Sequence, residues 1–370
     1  MPITLYSVPL SLYAGRARSY LIKAAIPYIE KPHTSQYFFD NVLPKAGGRR
    51  SMPTIEFEDG TVIRDGVAIV DHFEAERGHP HTPHTPRQQI TSLLIDAIAS
   101  EGLLRPAMHY RWNFPAQDAF IRFHFQAMTP YNATPEQTSD ARATYLRTEA
   151  VPNLGVTEDT IEKVESLYLE YLNALDMHFG QYPYLLGGKP CVGDFGLIAP
   201  MYGHLSRDPL PSAIMNRNAF RVVRWVDRMN RPDADMGEFF DASEAFLPDD
   251  EIPPTLTEML RHLARDYVPE TRAAASLINA WLNVNNIAPG SLCERTLGQA
   301  SFDVDDISFS AAAQPFRFYV LKRVQDLYDS LSDQDRDDVD AMLATCNMSE
   351  VIGLRLTRDI GRANNREVWI

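Results

Sequence analysis

Ser11 stands where a loop over residues 7–12, broken by Pro9, gives way to a helical pattern over residues 13–25. Backbone N–H groups at a helix start are unpaired and the dipole is positive there, so a hydroxyl at that point can donate to an anion. A thiolate is the natural guest. A free thiol titrates near ~8.5, and each pKa unit of lowering needs about 1.4 kcal/mol of preference for the thiolate. A hydroxyl together with a helix N-terminus supplies roughly 1.5–3 kcal/mol, one to two units' worth. A serine before a helix is more often only a cap, so the reading needs companions.

Two companions follow in the chain. Pro53 in Ser51-Met52-Pro53-Thr54 leads from a loop into a strand, where a cis peptide would expose the backbone of Met52 for pairing with an extended peptide. Arg49 and Arg50 precede it and suit a carboxylate. Further on, Asp65-Gly66 opens a helix, putting a carboxylate beside free N–H groups. A peptide with a thiol, a free amine and two carboxylates would match all three points, and glutathione has that composition. Tyr6, at the end of the first strand, is a rival thiol activator whose bland reading is core packing; Tyr13 and Ser7 are weaker candidates.

The elements that must position these residues alternate over residues 1–78. Ile3-Thr4-Leu5-Tyr6 alternates like a strand, Ala17, Leu21 and Ala24 or Ala25 mark a helix ended by Pro27, and Tyr28-Ile29-Glu30 reads as a second strand. Thr54-Ile55-Glu56-Phe57 and Val62-Ile63 flank Asp59-Gly60, which predicts an antiparallel hairpin, and a helix from Asp65 follows. The order βαβ then ββα is a thioredoxin-like α/β layer. Residues 79–86 form a Pro-rich linker, in which His79, His81 and His84 are polar loop residues rather than metal ligands; no metal is expected. Residues 87–251 read as all-helical, with a stripe through Ile90, Leu94, Ala97, Leu104 and Met108 that Glu101 interrupts and where Glu101 could pair with Arg105. A second long helix starts near Thr157, a third near Val192, and residues 233–251 carry eight acids and no base. Residues 252–370 form a helical extension.

The chain has 370 residues and a formal charge of −14, which disfavours nucleic acid and anionic membrane as partners. Residues 1–80 are balanced, with 9 basic and 9 acidic side chains, so the acidity lies in the helical part. No apolar run is long enough to span a bilayer, no signal peptide is visible, and Cys191, Cys293 and Cys346 are widely spaced, which fits a reducing cytoplasm.

With Ser11, Arg16 and Tyr28 in the first unit, Met52-Pro53, and Asp59-Gly60 through Asp65-Gly66-Val67-Ala68-Ile69, the chain resembles the glutathione S-transferase superfamily, its serine-dependent classes in particular. Leu185-Leu186-Gly187 through Asp194-Phe195 is similar to the loop and capping box of that family's sixth helix, and the tail around Arg295 and Gln314-Pro315-Phe316 is similar to extensions in poorly characterised bacterial members. The resemblance covers about residues 1–230. It implies a thioredoxin-like domain followed by an all-helical one, glutathione as co-substrate, and a homodimer. Ser11 would hydrogen-bond the sulfur, Met52 would pair through its backbone beside Pro53, and Arg49 or Arg50 would hold the glycyl carboxylate, with Arg16 nearby. Asp65 would bind the γ-glutamyl amine and the Gly66 N–H its carboxylate.

Departures from the pattern are Gly66, where the family usually has a hydroxyl, Asp65 in place of a longer acid or amide, and Cys191 at the capping box. No cysteine lies in residues 1–80, which disfavours thiol-exchange branches. The second substrate, a hydrophobic electrophile, is expected against Tyr110, Arg111 and Trp112, with His109 and Phe114 beside them. The implied activity is conjugation of the glutathione thiolate to that electrophile. Alternatives are ether cleavage, dehalogenation or isomerisation with glutathione, or a non-catalytic glutathione-binding protein of the same fold, for which Gly66 and Cys191 speak.

Overall fold

In a computed structural model, which describes residues 2–101 and 103–370, the first domain is built from β1 (Ile3–Tyr6), α1 (Leu12–Lys23), β2 (Tyr28–Lys31), β3 (Thr54–Glu56), β4 (Val62–Arg64) and α2 (Gly66–Glu76). The sheet runs β2-β1-β3-β4: β1 is parallel to β2, and β3 is antiparallel to both β1 and β4. This is the expected thioredoxin-like order with its Asp59-Gly60 hairpin. Leu5 and Ile55 point into the core while α1 and α2 cover one face with Ala17, Leu21, Ile69 and Phe73. Each large side chain buried in this way contributes roughly 1.5–3 kcal/mol.

A helical domain follows: α3 (Pro86–Glu101), α4 (Leu104–Trp112), α5 (Asp118–Gln126), α6 (Ala141–Tyr145), α7 (Ile161–Phe179), α8 (Val192–Pro200), α9 (Pro209–Asn218) and α10 (Phe220–Met229). α8 is the hub, packed on both α1 and α3. Gly196 makes that approach possible, since a Cβ there would stand 2.6 Å from the Asp96 Cα. At the start of α8 the capping role survives the replacement at Cys191: the Cys191 N–H donates to Asp194 Oδ2 at 2.9 Å, and Asp194 Oδ1 also takes the Trp225 indole N–H at 3.0 Å. The second long helix begins at Ile161 rather than at Thr157. Thr160 is the reason: its hydroxyl accepts from the Thr157 N–H at 2.9 Å and donates to the Gly155 carbonyl at 2.7 Å, holding the preceding turn in its own conformation. Arg105 does not pair with Glu101. It reaches Asp266 at 2.7 Å and Glu270 at 2.5 Å on the extension instead.

The expected helical extension is present and carries two β-hairpins in addition. It opens with a single long helix, α11 (Pro254–Val284), which has Pro269 inside it. β5 (Gln299–Val304) and β6 (Ile307–Ala312) follow, then α12 (Pro315–Ser330), α13 (Asp333–Thr345), β7 (Ile360–Ala363) and β8 (Arg366–Trp369). The alternation of β5 is read cleanly in its burial, with Ala300, Phe302 and Val304 inward; Phe302 and Val304 pack with Phe309 on Val8, Leu10, Trp112 and Val164, and Ala300 joins the main core. The β7–β8 hairpin seals the free edge of the first sheet. Asn365 accepts from the Arg64 N–H at 3.0 Å and donates to the Val62 carbonyl at 2.8 Å, and Arg64 meets Glu367 at 3.0 Å. Among the described residues no helix is long and apolar enough to cross a membrane.

Candidate functional site

A cleft of about 880 Å³ opens where the three parts of the chain meet. The first domain lines it with Ser11, Tyr13, His33, Arg49, Arg50, Met52, Arg64 and Asp65. Its far wall is Phe125, Met128, Thr138, Ala141, Arg142 and Tyr145, and the extension adds Glu294, Arg295, Gln314, Phe316, Arg366 and Glu367.

Ser11 is the N-cap of α1, its Oγ accepting from the Ala14 N–H at 3.3 Å. That bond uses a lone pair, and the hydroxyl proton has no acceptor among the described residues, so Ser11 can cap the helix and donate into the cleft at once. The Met52–Pro53 peptide is cis. Neither the N–H nor the carbonyl of Met52 bonds to another group among the described residues, although β3 begins two residues later. An unpaired donor and acceptor at a sheet edge in a cleft is a place for an added strand.

Asp65 holds φ at +90°, a region that side-chain-bearing residues seldom adopt. Its N–H donates to the Pro53 carbonyl at 3.0 Å, which ties it to the Met52–Pro53 corner, and its Oδ1 caps α2 through the Val67 N–H at 2.8 Å. One carboxylate oxygen is left for a ligand. The side-chain position of Gly66 faces α1 rather than the cleft: a Cβ there would meet the Tyr13 carbonyl at 3.2 Å and the Arg16 Cδ at 3.3 Å. The hydroxyl that the resemblance leads one to expect at 66 is missing because this α1–α2 contact leaves little room for it. Pro53 is buried behind Met52.

Several expected site residues are elsewhere. Tyr6 is 2% exposed, packs on Phe38 in a small core with Val42 and Val62, and donates its hydroxyl to Glu56 at 2.8 Å; burial and Glu56 push its phenol well up. A phenol so placed is a core residue and not a thiol activator. Arg16 is withdrawn into an ion pair with Asp96 at 2.6 Å, also donating to the Asp96 carbonyl at 3.1 Å, and so joins α1 to α3 rather than contacting a ligand. Tyr110 stacks on Phe114 and packs tilted against Tyr168, and Trp112 meets Phe125 edge-on. Arg111 is 3% exposed and bidentate to Asp208 at 2.6 and 2.7 Å, with further bonds to the Leu10 and Gly203 carbonyls. None of the three lines the cleft, because the stripe they belong to is the face that α4 turns to the helical core. His109 also leaves the cleft, its Nε2 lying 2.9 Å from Glu165. In the linker, His81 is a buried latch, with Nδ1 3.0 Å from the Pro190 carbonyl and its ring edge-on to Tyr20 and Phe195.

The place of Glu101 in the cleft, and those of Arg142, Arg295 and Arg366, escaped the sequence reading. Glu101 is 7% exposed at the end of α3, facing the cleft, and burial pushes its carboxyl up to about 7, with Glu270 and Asp65 adding to the rise against Arg317 and Arg16. Arg142, Arg295 and Arg366 come from segments with no chemical pattern of their own. The one signal in the sequence was the likeness of the tail around Arg295 and Gln314-Pro315-Phe316 to other extensions, and Arg295, Gln314 and Phe316 do reach the cleft.

Residues 5–81 match the family model of the glutathione S-transferase N-terminal domain. No curated protein matches the chain. Among solved structures, the β-etherase LigF from Sphingobium sp. strain SYK-6 is similar at 16% identity over 65% of this chain and 100% of that one, with a TM-score of 0.44. A glutathione S-transferase-like protein from Pseudomonas syringae is similar at 14% identity over 85% and 97% of the two chains, also with a TM-score of 0.44. A glutathione S-transferase from Methylobacterium radiotolerans, in complex with glutathione sulfonate, is similar at 15% identity over 68% and 100%, with a TM-score of 0.38. The domain at residues 5–81, with the Met52–Pro53 corner and the Asp65 cap at its centre, is thus the part of the chain that matches the glutathione S-transferase N-terminal domain.

Proposed function

We propose that the protein is a glutathione transferase, joining the thiolate of glutathione to an electrophilic carbon. The observation that carries this reading is the convergence of Ser11, Met52 and Asp65, three separate segments, on one cleft, each with a donor or acceptor still unspent. The Ser11 hydroxyl would donate to the sulfur and favour its ionised form, the Met52 backbone would pair with the cysteinyl backbone, and the free Asp65 oxygen would take the γ-glutamyl ammonium. The γ-glutamyl carboxylate would sit at the start of α2, where the Gly66 N–H is unpaired among the described residues. Arg49 or Arg50, at the mouth, would hold the glycyl carboxylate. The protein contributes binding and thiol tuning, with no covalent enzyme intermediate. Assembly as a homodimer belongs to the same reading and comes from the family resemblance alone, and a cytoplasmic location is proposed from the three widely spaced cysteines.

One observation favours the second reading, a glutathione-binding protein without turnover: Gly66 has no hydroxyl and the Asp65 carboxylate is partly used by its own helix. The two separate in one experiment. Glutathione is titrated by calorimetry, and conjugation to 1-chloro-2,4-dinitrobenzene is then followed in wild type and Ser11→Ala. The transferase reading expects binding in both and a fall in kcat/KM of about tenfold in the variant, the hydroxyl's share of the one to two pKa units assigned to Ser11 and its helix together. Binding without turnover would support the second reading, unchanged turnover would remove Ser11 as activator, and no binding would refute both.

A further inference from the structure

The cleft holds more positive charge than glutathione uses. Six arginines line it, Arg49, Arg50, Arg64, Arg142, Arg295 and Arg366, against four acids. The acids are largely occupied. Glu367 is shared between Arg64 at 3.0 Å, Arg362 at 3.2 Å and Arg49 at 3.8 Å, Glu294 accepts from the Trp369 indole at 3.0 Å, and Asp65 caps α2. Arg366 donates to the Gly47 carbonyl at 3.0 Å. Arg50, Arg142 and Arg295 form ion pairs with no carboxylate among the described residues: Arg50 reaches the Met128 carbonyl and Arg142 lies over the Tyr145 ring. These guanidinium groups repel one another, Arg50 through Arg142 and Arg142 through Arg295. A fold that gathers like charges from three segments, without internal counterions, leaves their neutralisation to a ligand.

Next to them sits a polar group that also lacks a partner. His33 is 6% exposed, lines the cleft, and its Nδ1 is buried without a hydrogen bond, as is the Arg50 Nε. Burial, Arg50 and Arg142 push His33 down to about 3, so it is neutral and able to donate or accept rather than add charge. Phe125, Met128 and Tyr145 supply an apolar wall beside this cluster. If glutathione takes one arginine of the Arg49–Arg50 pair for its glycyl carboxylate and the α2 start for the other, Arg142 and Arg295 are left over.

We propose that the second substrate is a small aromatic acid, its anionic group held by Arg142 and Arg295 and its ring lying against Phe125, Met128 and Tyr145. This rests on the transferase reading and sharpens it, since a merely hydrophobic electrophile has no use for the two arginines. With 4-chloro-3-nitrobenzoate, the thiolate sulfur bonds to the ring carbon bearing chlorine, chloride leaves with the bonding pair, and the thiol proton has gone to solvent. Arg295 brings the tail into substrate selection.

The test has two arms, both on the full chain. In the first, 4-nitrobenzoate and nitrobenzene are titrated by calorimetry without glutathione, in wild type, Arg142→Gln, Arg295→Gln and the double variant. The acid should bind wild type at least tenfold more tightly than the neutral analogue, and the double variant should lose that margin. In the second, kcat/KM for 4-chloro-3-nitrobenzoate is divided by that for 1-chloro-2,4-dinitrobenzene, each normalised to its uncatalysed rate. The ratio should fall at least tenfold in the double variant and by less in each single one, which also covers a double variant that does not fold. Acid binding no tighter than nitrobenzene, or a margin untouched by the substitutions, would overturn the proposal. If glutathione fails to bind while the acid margin behaves as stated, the transferase reading falls and the anion site stands.

Discussion

Glu101 ends α3 with its carboxyl buried at the wall of the cleft, and a carboxyl held near 7 makes the folding equilibrium depend on pH in a direction that can be worked out. In the unfolded chain it titrates at about its ordinary value of 4.5. Below that pH both states are protonated and burial costs nothing through ionisation. Between 4.5 and about 7 the unfolded chain releases the proton while the folded one retains it, so stability falls as pH rises; above 7 both are ionised and the loss is complete. The gap between those two values, at about 1.4 kcal/mol per pKa unit, amounts to about 3 kcal/mol. Glu101→Gln keeps the shape and removes the titration. Urea unfolding of both proteins at pH 5 and pH 8.5 should give the variant an advantage that grows by about 2–3 kcal/mol between the two, the rest having been spent by pH 5. A difference constant to within about 0.5 kcal/mol across that range would refute the assignment, because an amide that merely packs better or worse does so at every pH.

Two further substitutions test how the cleft is held. Asp208→Asn removes the bidentate partner of Arg111 and leaves a guanidinium buried without its counter-charge, so unfolding free energy should drop by about 3–5 kcal/mol, read by urea titration at pH 7; a loss under about 1 kcal/mol would mean the pair is not the clamp described. Glu367→Gln weakens the seat of the β7–β8 hairpin on β4 and frees Arg49 and Arg64. Stability should fall by about 3 kcal/mol, and proteolysis should clip the tail first, whereas uniform cleavage along the chain would argue against the hairpin as a separately held edge cover.

Reading function from this sequence works where chemistry is local. Ser11 is a cap because of the residues that follow it, Met52 and Pro53 are neighbours in the chain, and Asp65 caps the helix that begins with the next residue. Each can be recognised from a few positions. The same logic fails for Tyr110, Arg111 and Trp112, whose types suit a pocket but whose side chains face the core, a matter of how α4 is rotated against α7 and the helical turn at residues 201–205. It fails for Arg16, since nothing in the sequence around residue 16 announces Asp96, eighty positions away. The hairpins of the tail were missed for a related reason: β5 and β6 have a strand's alternation, but their stretch is short and polar on its outer face, and their apolar side chains gain burial against elements that the local pattern does not announce, among them α11, α4 and the loop before α1.

What the sequence by itself determined is therefore the thioredoxin-like order, its hairpin, and the three positions that meet the glutathione backbone in the proposed reading, because propensity, turn chemistry and capping act within a few residues of each other. Only the tertiary structure decided what surrounds them. It withdrew Tyr6 and Arg16 into the interior, and it raised Glu101 by closing the extension over it. It also brought Arg142 and Arg295, more than 150 positions apart, to one cleft. A cleft's charge is a sum over everything within about a Debye length, and that sum exists only once the chain has folded.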